Sequence, residues 1–439
     1  MHSSRTYSRT KGRWNISNTG PRFGSTKLAA AIARGALTLA VLSALLLVGA
    51  RPAPAQTEKV LYSFLSYSGD GAYPKAGLVF DTKGNLYGTT YYGGVYGYGT
   101  VFEITSAGTE KVLHSFGSQS GDGYSPWPTL VFGKKGNLYG TTDGGGAYDY
   151  GTVFEIATTG KKAGTEKVLY SFNPNGTDGY SPVGGLVFDK EGDLYGTTYA
   201  GGEHNEGTVF EITAAGKEEV LYSFGNQSPD GYSPAAGLVF DKEGNLYGTT
   251  YFGGDLSCNL GRGCGTVFEI TSAGTEKVLY SFGSQSGDGV SPWAGLIFDK
   301  KGNLYGTTTS GGSNGTACGS IGCGTVFELT AAGTEKVLYS FGSQSGDGIG
   351  PWAGLIFDKK GNLYGTTEDG GAYGDGTVFE IATTGKKAGT EKVLYSFGSQ
   401  SGDGNGPMAG LIFDKEGNLY GTTDYGGAYE VGTVFEVTP

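Results

Sequence analysis

The chain has 439 residues, 84 of them Gly, with 13% aromatic residues and a formal charge of −11 at pH 7. That aromatic content excludes a disordered polymer, and Gly at fixed repeat positions reads as turns and close backbone approach. Residues 1–55 carry eight Lys or Arg and no acid, which leaves 23 basic against 42 acidic groups, a balance of −19, on the rest. Such a body repels phosphate backbones, which argues against nucleic acid and anionic membrane surfaces as partners.

The first element is a long apolar run at 36–50, ALTLAVLSALLLVGA, preceded by basic residues and followed by Ala53-Pro54-Ala55. This is the pattern of a cleaved secretory signal, with cleavage expected after Ala55. The run has 15 residues, short of the roughly 20 that a membrane span needs. An uncleaved anchor is the rival reading. The basic region before the run is long and lacks a twin-Arg pattern. The expected division is a signal peptide at 1–55 and one domain at 56–439, exported to the periplasm, the cell surface or the medium, with no membrane span after cleavage.

From there the chain is a repeat. GNLYGTT followed by GTVFE begins at 84–90 with 99–103 and recurs until 417–423 with 432–436, seven copies in all, with Asp193 replacing the Asn in the third. One unit reads GLVFDKEGNLYGTT, a variable glycine-rich loop, GTVFEIT, a short turn, EKVLYSF, and a loop containing DGxxP. Four runs rich in Val, Leu, Phe, Tyr and Thr are separated by Gly, Asn and Asp turns, with strand length and no helical period. We name them a (GLVF), b (NLYGTT), c (TVFEI) and d (KVLYSF). The three-residue turn Ser106-Ala107-Gly108 predicts a c–d hairpin with Glu103 opposite Lys111 and Phe102 opposite Val112. The same turn is longer in copies two and six. Four antiparallel strands per unit, repeated radially, predict an all-β fold, a seven-bladed β-propeller. A d-type run at 59–64 precedes the first a strand, and the last copy ends at c, so the N-terminal strand is expected to close the last blade.

These motifs resemble the Gloeo/Verruco (GloVer) tandem-repeat family, whose units read GL[VI]FDxxGNLYGTT, then GG, GTVFE and LYSF. The resemblance covers about residues 57–439. It implies an exported propeller-like repeat protein and no particular activity. The blade is also similar to that of NHL propellers, in which the a-like run is innermost. Family members often end in a sorting anchor, and this chain stops at Pro439 after a c strand, which puts anchoring in doubt.

In such a blade the b→c and d→a loops share one face, and that face carries the variable sequence. Trp127, Trp293 and Trp352 follow the DGxxP proline in three blades, where the others have Lys75, Val183, Ala235 and Met408. With Tyr98, Tyr150, Tyr251, Tyr373 and Tyr429 of the b→c loops they are the candidate ligand-binding residues, because flat aromatic faces beside carboxylates suit sugar rings. The competing role for the Trp is to fill gaps between blades or plug the axis. Because the three share one repeat position, related and separate sites are expected, giving multivalent binding. The aspartates of DGxxP (Asp70, Asp122, Asp178, Asp230, Asp288, Asp347 and Asp403) are either Asx-turn residues or a carboxylate ring for a cation such as calcium. No other cofactor and no metal site are expected.

All four Cys fall in two enlarged b→c loops, of ten residues in blade 4 and eleven in blade 5, where the other blades have four. An even count in an exported chain reads as disulfides. Pairing within each loop predicts Cys258–Cys264 and Cys318–Cys323, and bridges between adjacent blades are the alternative. A zinc site is disfavoured by the spacings and by a chain that has only His114 and His204 beyond the leader. His114 stands where other copies have the Tyr of LYSF. Near-identical blades supply like groups, whereas catalysis needs unlike groups in defined roles, so no catalytic residue is assigned. The expected function is a monomeric, non-enzymatic binding or surface-interaction module for a glycan or protein. The alternatives are an extracellular carbohydrate-active enzyme using the variable face and a structural envelope component.

Overall fold

The turns explain the sheets. In the a–b turn of blade 1 the Asp81 carboxylate accepts the N–H groups of Lys83 and Asn85, at 2.8 and 2.9 Å, and Gly84 takes φ 84°. In the c–d turn Gly108 takes φ 80° and its N–H bonds to the Thr105 carbonyl at 2.7 Å. Both turns reverse the chain within a few residues, so each repeat becomes a four-stranded antiparallel sheet in the order a-b-c-d. Blade 4 is representative, with a Val239–Phe240, b Leu246–Thr250, c Thr266–Ile270 and d Glu276–Ser281. The computed structural model describes residues 57–65, 67, 69–226, 229–313 and 318–439. The expected signal segment and the expected cleavage site after Ala55 lie outside the described residues. Among the described residues no helix is long and apolar enough to cross a membrane.

There are seven such sheets. In blade 7, strands Ile412–Phe413, Leu419–Thr423 and Thr433–Thr438 are completed by Thr57–Ser63, with Lys59 opposite Glu436. The N-terminal strand therefore closes the propeller. The c–d register is the one expected, with Glu103 opposite Lys111 and Phe102 opposite Val112. The longer turns of blades 2 and 6 keep it, pairing Glu155 with Lys167 and Glu380 with Lys392. Their extra residues wind into 3-10 turns, Gly160–Lys162 and Gly385–Lys387. Each strand d bulges at its Leu, as between Val112 and His114, and a bulge sharpens the twist of an outer strand.

The core is a set of layers between blades. The Phe of each TVFE is fully buried. It lies over the central Gly of LYGTT, where a Cβ on Gly248 would come within 2.6 Å of the Phe268 ring. On its other side it meets, edge to face, the Phe that follows strand d of the preceding blade. The ring centroids are 5.0–5.2 Å apart at all seven interfaces, including Phe64–Phe102 across the closure. The Tyr of LYGTT packs likewise on the strand a Phe of the next blade, as Tyr195 does on Phe240 at 5.2 Å and Tyr420 on Phe80 across the closure at 5.2 Å. A Thr of LYGTT then bonds to the next blade's backbone, as Thr249 Oγ1 does to the Ala294 carbonyl at 3.1 Å. Thr89, ahead of the blade that has Pro128-Thr129 in place of Ala-Gly, has no such partner.

Closure is testable. Phe64→Ala should cost about 3–5 kcal/mol, the range for a buried Phe. Deleting 58–64 should also expose strand Thr433–Thr438 as an unpaired edge that invites association. Calorimetry and size-exclusion chromatography should show a lower melting temperature and oligomers. A monomer of unchanged melting temperature would contradict the closure.

Candidate functional site: the axial mouth

Each strand a is entered through Asp-Gly-x-x-Pro, and the residue before the Pro has a left-handed backbone in every blade. It is Tyr73, Ser125, Ser181, Ser233 or Ser291 at φ 54–58°, and Gly350 or Gly406 at φ 65°. That conformation is costly for a residue as bulky as Tyr73. It aims the residue's two backbone groups at different blades. The Ser291 N–H bonds to the Cys264 carbonyl of the preceding blade at 2.8 Å, and the Ser291 carbonyl accepts the N–H of Thr309, the residue after LYGTT, at 3.2 Å. All seven blades repeat this pair of bonds. The residue after the Pro and the residue after LYGTT are thereby fixed side by side near the axis.

These two positions are where the blades differ. In chain order the pairs are Lys75 with Tyr91, Trp127 with Asp143, Val183 with Tyr199, Ala235 with Tyr251, Trp293 with Thr309, Trp352 with Glu368, and Met408 with Asp424. Trp293 lies at the centre of an aromatic cluster, 5.4 Å from Trp352, 6.4 Å from Trp127, 5.2 Å from Tyr251 and 6.2 Å from Tyr199 between ring centroids. Trp127 and Trp293 come from blades 2 and 5, so their indoles meet across the axis. Lys75 Nζ lies 4.6 Å from the Trp127 ring and 5.1 Å from the Tyr91 ring, and 3.6 Å from Asp424 Oδ2. The Trp352 indole lies beside Glu368. A cavity of about 510 Å³ opens here, lined by residues of all seven blades. It is bounded by the Gly that begins strand a, where neighbouring backbones touch: a Cβ on Gly237 would lie 3.0 Å from the Gly185 carbonyl oxygen.

Burial raises the carboxyl pKa of Asp143, Glu368 and Asp424 above the usual range. The Ser181 hydroxyl beside Asp143, the indole beside Glu368 and the ammonium beside Asp424 oppose that rise. Asp424 is only 2% exposed. Its Oδ2 faces the Lys75 ammonium, and its Oδ1 has no hydrogen-bond partner among the described residues.

Of the aromatic residues expected to bind ligand, the structure brings Trp127, Trp293, Trp352 and Tyr251 together, all half-buried. The three indoles form one cluster in place of three separate sites, because the residues after the Pro converge on the axis. Tyr98, Tyr150, Tyr373 and Tyr429 are exposed on the loops and make other contacts, with Tyr98 against Tyr124 at 5.7 Å and Tyr150 against Tyr180 at 5.3 Å. Sequence reasoning passed over Asp143, Glu368 and Asp424. Their signal was available: the position after LYGTT varies while the motif before it does not.

The DGxxP aspartates lie away from the mouth, each engaged in its own turn. Their Oδ2 atoms accept a backbone N–H just after strand d, as Asp70 does from Leu65 at 2.8 Å, and in six blades also accept the LYSF Tyr hydroxyl, as from Tyr62 at 2.8 Å. Facing each is a Glu at the start of the next blade's strand d, with a buried Oε1 that has no hydrogen-bond partner. Burial first, and repulsion from the facing Asp second, push Glu58, Glu110, Glu218, Glu276 and Glu335 up to about 7 and Glu391 to about 8. In the seventh groove His114 replaces Tyr and lies buried beside Asp122 and Glu166. The cysteines are paired as expected, Cys258 with Cys264 and Cys318 with Cys323. Both bridges bear on the mouth, because the Cys264 and Cys323 carbonyls accept the N–H groups of Ser291 and Gly350, two residues before Trp293 and Trp352.

The pattern of the Gloeobacter/Verrucomicrobia repeat matches residues 51–263 and 259–439. The chain belongs to that family. No curated protein matches it. Among solved structures it is similar to the extracellular domain of a one-component system from B. thetaiotaomicron, at 15% identity and TM-score 0.50, over 87% of this chain and 42% of that one. The repeat protein thus spans less than half of that relative. It is also similar to a gluconolactonase from Xanthomonas campestris, at 12% identity and TM-score 0.41 over 87% and 89% of the chains, and to a luciferin-regenerating enzyme, at 11% and 0.43 over 88% and 95%. At these identities the likeness concerns the propeller fold alone.

The groove carboxyls predict a pH dependence. In the folded state these Glu hold a proton up to about pH 7, and in the unfolded chain only up to the ordinary Glu value of 4.5. Their protonation stabilises the fold fully below the lower value, and that contribution is lost as pH rises through the upper one. The melting temperature should be higher at pH 5 than at pH 8, and Glu276→Gln should raise it at pH 8. A melting temperature that climbs from pH 5 to pH 8 would contradict the assignment.

Proposed function

We propose that the chain is an exported, non-enzymatic binding module that takes a glycan at the axial mouth. The observation that carries this reading is the gathering of Trp127, Trp293 and Trp352 around one cavity, beside Lys75 and three carboxyls. Half-buried indoles offer flat apolar faces to the C–H faces of sugar rings, and a few fixed polar groups can orient hydroxyls. The cluster is preorganised: Lys75 is held by Asp424, and the segments carrying Trp293 and Trp352 are tied to disulfide loops. Preorganisation lowers the ordering cost of binding. Export is supported by the leader pattern at 36–55 and by the disulfides, which persist in oxidising compartments.

An extracellular carbohydrate-active enzyme is the second reading. Unlike groups gathered at one mouth, with carboxyl pKa values raised by burial, favour it. The engagement of Glu368 with an indole and of Asp424 with an ammonium favours binding.

A glycan-array screen with calcium and then with chelator should identify oligosaccharide ligands. Trp293→Ala and Lys75→Met should each weaken binding of the best ligand about tenfold or more and leave the melting temperature close to that of the parent. Binding that survives Trp293→Ala, or a fall in melting temperature typical of a core residue, would remove the mouth as the site. Release of reducing ends from the bound glycan, abolished by Glu368→Gln, would establish the enzyme instead.

A further inference from the structure

One of the seven outer grooves departs from the others by a metal-ligating side chain. Elsewhere a Tyr hydroxyl donates to the DGxxP aspartate. Between blades 1 and 2 the imidazole of His114 takes that place. His114, Asp122 and Glu166 are 8%, 6% and 7% exposed, and each offers a ligand atom within 4.8 Å of the others. His114 Nε2 has no hydrogen-bond partner, and neither has Glu166 Oε1. Among the described residues an unpartnered Glu oxygen recurs in every groove, and this groove alone also holds an imidazole nitrogen without a partner.

Nε2 lies 3.4 Å from Asp122 Oδ2. A charge-assisted hydrogen bond would be about 2.7–2.9 Å. Two ligand atoms each about 2.1 Å from a tetrahedral ion are roughly 3.4 Å apart. Both carboxylates are held in orientation, Asp122 through the oxygen nearest Nε2 as well as through its other one. Ser118 donates its N–H and hydroxyl to Asp122 Oδ2 at 2.9 and 3.1 Å, the Gly123 N–H reaches Asp122 Oδ1 at 2.9 Å, and Gln119 Nε2 donates to Glu166 Oε2 at 3.0 Å. Such outer bonds fix ligand direction in metal sites.

We propose that His114, Asp122 and Glu166 bind one divalent transition-metal ion of the zinc type. One imidazole and two carboxylates form a donor set that suits zinc, which accepts four ligands and leaves a position for water. Calcium would need six to eight oxygens, more than this groove supplies. His114 and Asp122 come from strand d of blade 1 and the loop after it, and Glu166 from strand d of blade 2. The ion would therefore cross-link two blades and stabilise the folded state by mass action. An ion pair between protonated His114 and Asp122 is the alternative, and it leaves the Glu166 oxygen unused.

His114→Tyr restores the residue of the other six blades, so it tests the site without disturbing the fold. The untagged full chain would be stripped with chelator, then titrated with Zn²⁺, Mn²⁺ and Ca²⁺ by calorimetry and assayed by elemental analysis. One Zn²⁺ per chain is expected, with a rise in melting temperature. Both should be lost, with affinity down roughly tenfold or more, in His114→Tyr and in Glu166→Gln, and retained in His204→Asn. No stoichiometric zinc in the parent, equal zinc binding by His114→Tyr, or calcium binding that is the same in the parent and His114→Tyr would overturn the proposal.

Discussion

The structure depends on one contact made seven times: a Phe of strand c laid over a strand b Gly and met edge-on by the Phe that ends the previous blade's strand d. A single blade has strands of two, five, five and six residues, as in blade 4, too few to bury an adequate core alone. Its apolar side chains face the neighbouring blades, so the stable unit is the closed ring. The Gly is part of the contact, because any Cβ there would occupy the space of the aromatic ring. Phe64 matters for the same reason. It carries the contact across the junction between the chain's two ends, and the strand before it supplies the hydrogen bonds that the last blade would otherwise lack.

Around that symmetric frame, three departures from symmetry stand out. Two positions per blade face the axial mouth, and both are set by the left-handed residue before the DGxxP proline, whose backbone joins one blade to the next. Side chains there can vary freely because backbone bonds do the positioning. The result is a mouth in which indoles from blades 2, 5 and 6 are interspersed with an ammonium from blade 1 and carboxyls from blades 2, 6 and 7. The second asymmetry is the His114 groove. The third is the pair of enlarged loops, whose disulfides hold the carbonyls that anchor the Trp293 and Trp352 segments.

Much of the fold was legible in the sequence because it is written by short-range chemistry. Gly84 and Gly108 mark tight turns, the spacing of Glu103 and Lys111 sets a hairpin register, and an extra d-type run before the first blade implies closure. The pairing of Cys258 with Cys264 followed from the loop that contains them. What was not legible depends on how seven blades are arranged in space. Trp127 and Trp293 are remote in sequence and touch only because the ring has a particular radius. Glu368 and Asp424 looked like ordinary loop acids until the mouth placed them beside Trp352 and Lys75. The Glu of EKVLYS has no marked partner in the sequence: it stands opposite the apolar Ile of strand c, and its neighbour across the groove is a carboxylate from the preceding blade. His114 reads as a Tyr replacement, and only the groove shows what surrounds it.

The central claim, that the axial mouth is where ligand binds, has a built-in reporter. Beyond residue 55 the only tryptophans are Trp127, Trp293 and Trp352, so the tryptophan emission of protein beginning at residue 56, excited to the red of tyrosine absorption, comes from the mouth alone. Titrating it with a bound oligosaccharide should change the emission and protect it from acrylamide, saturating at one equivalent. Binding detected by calorimetry with emission and quenching unchanged would place the ligand elsewhere on the propeller.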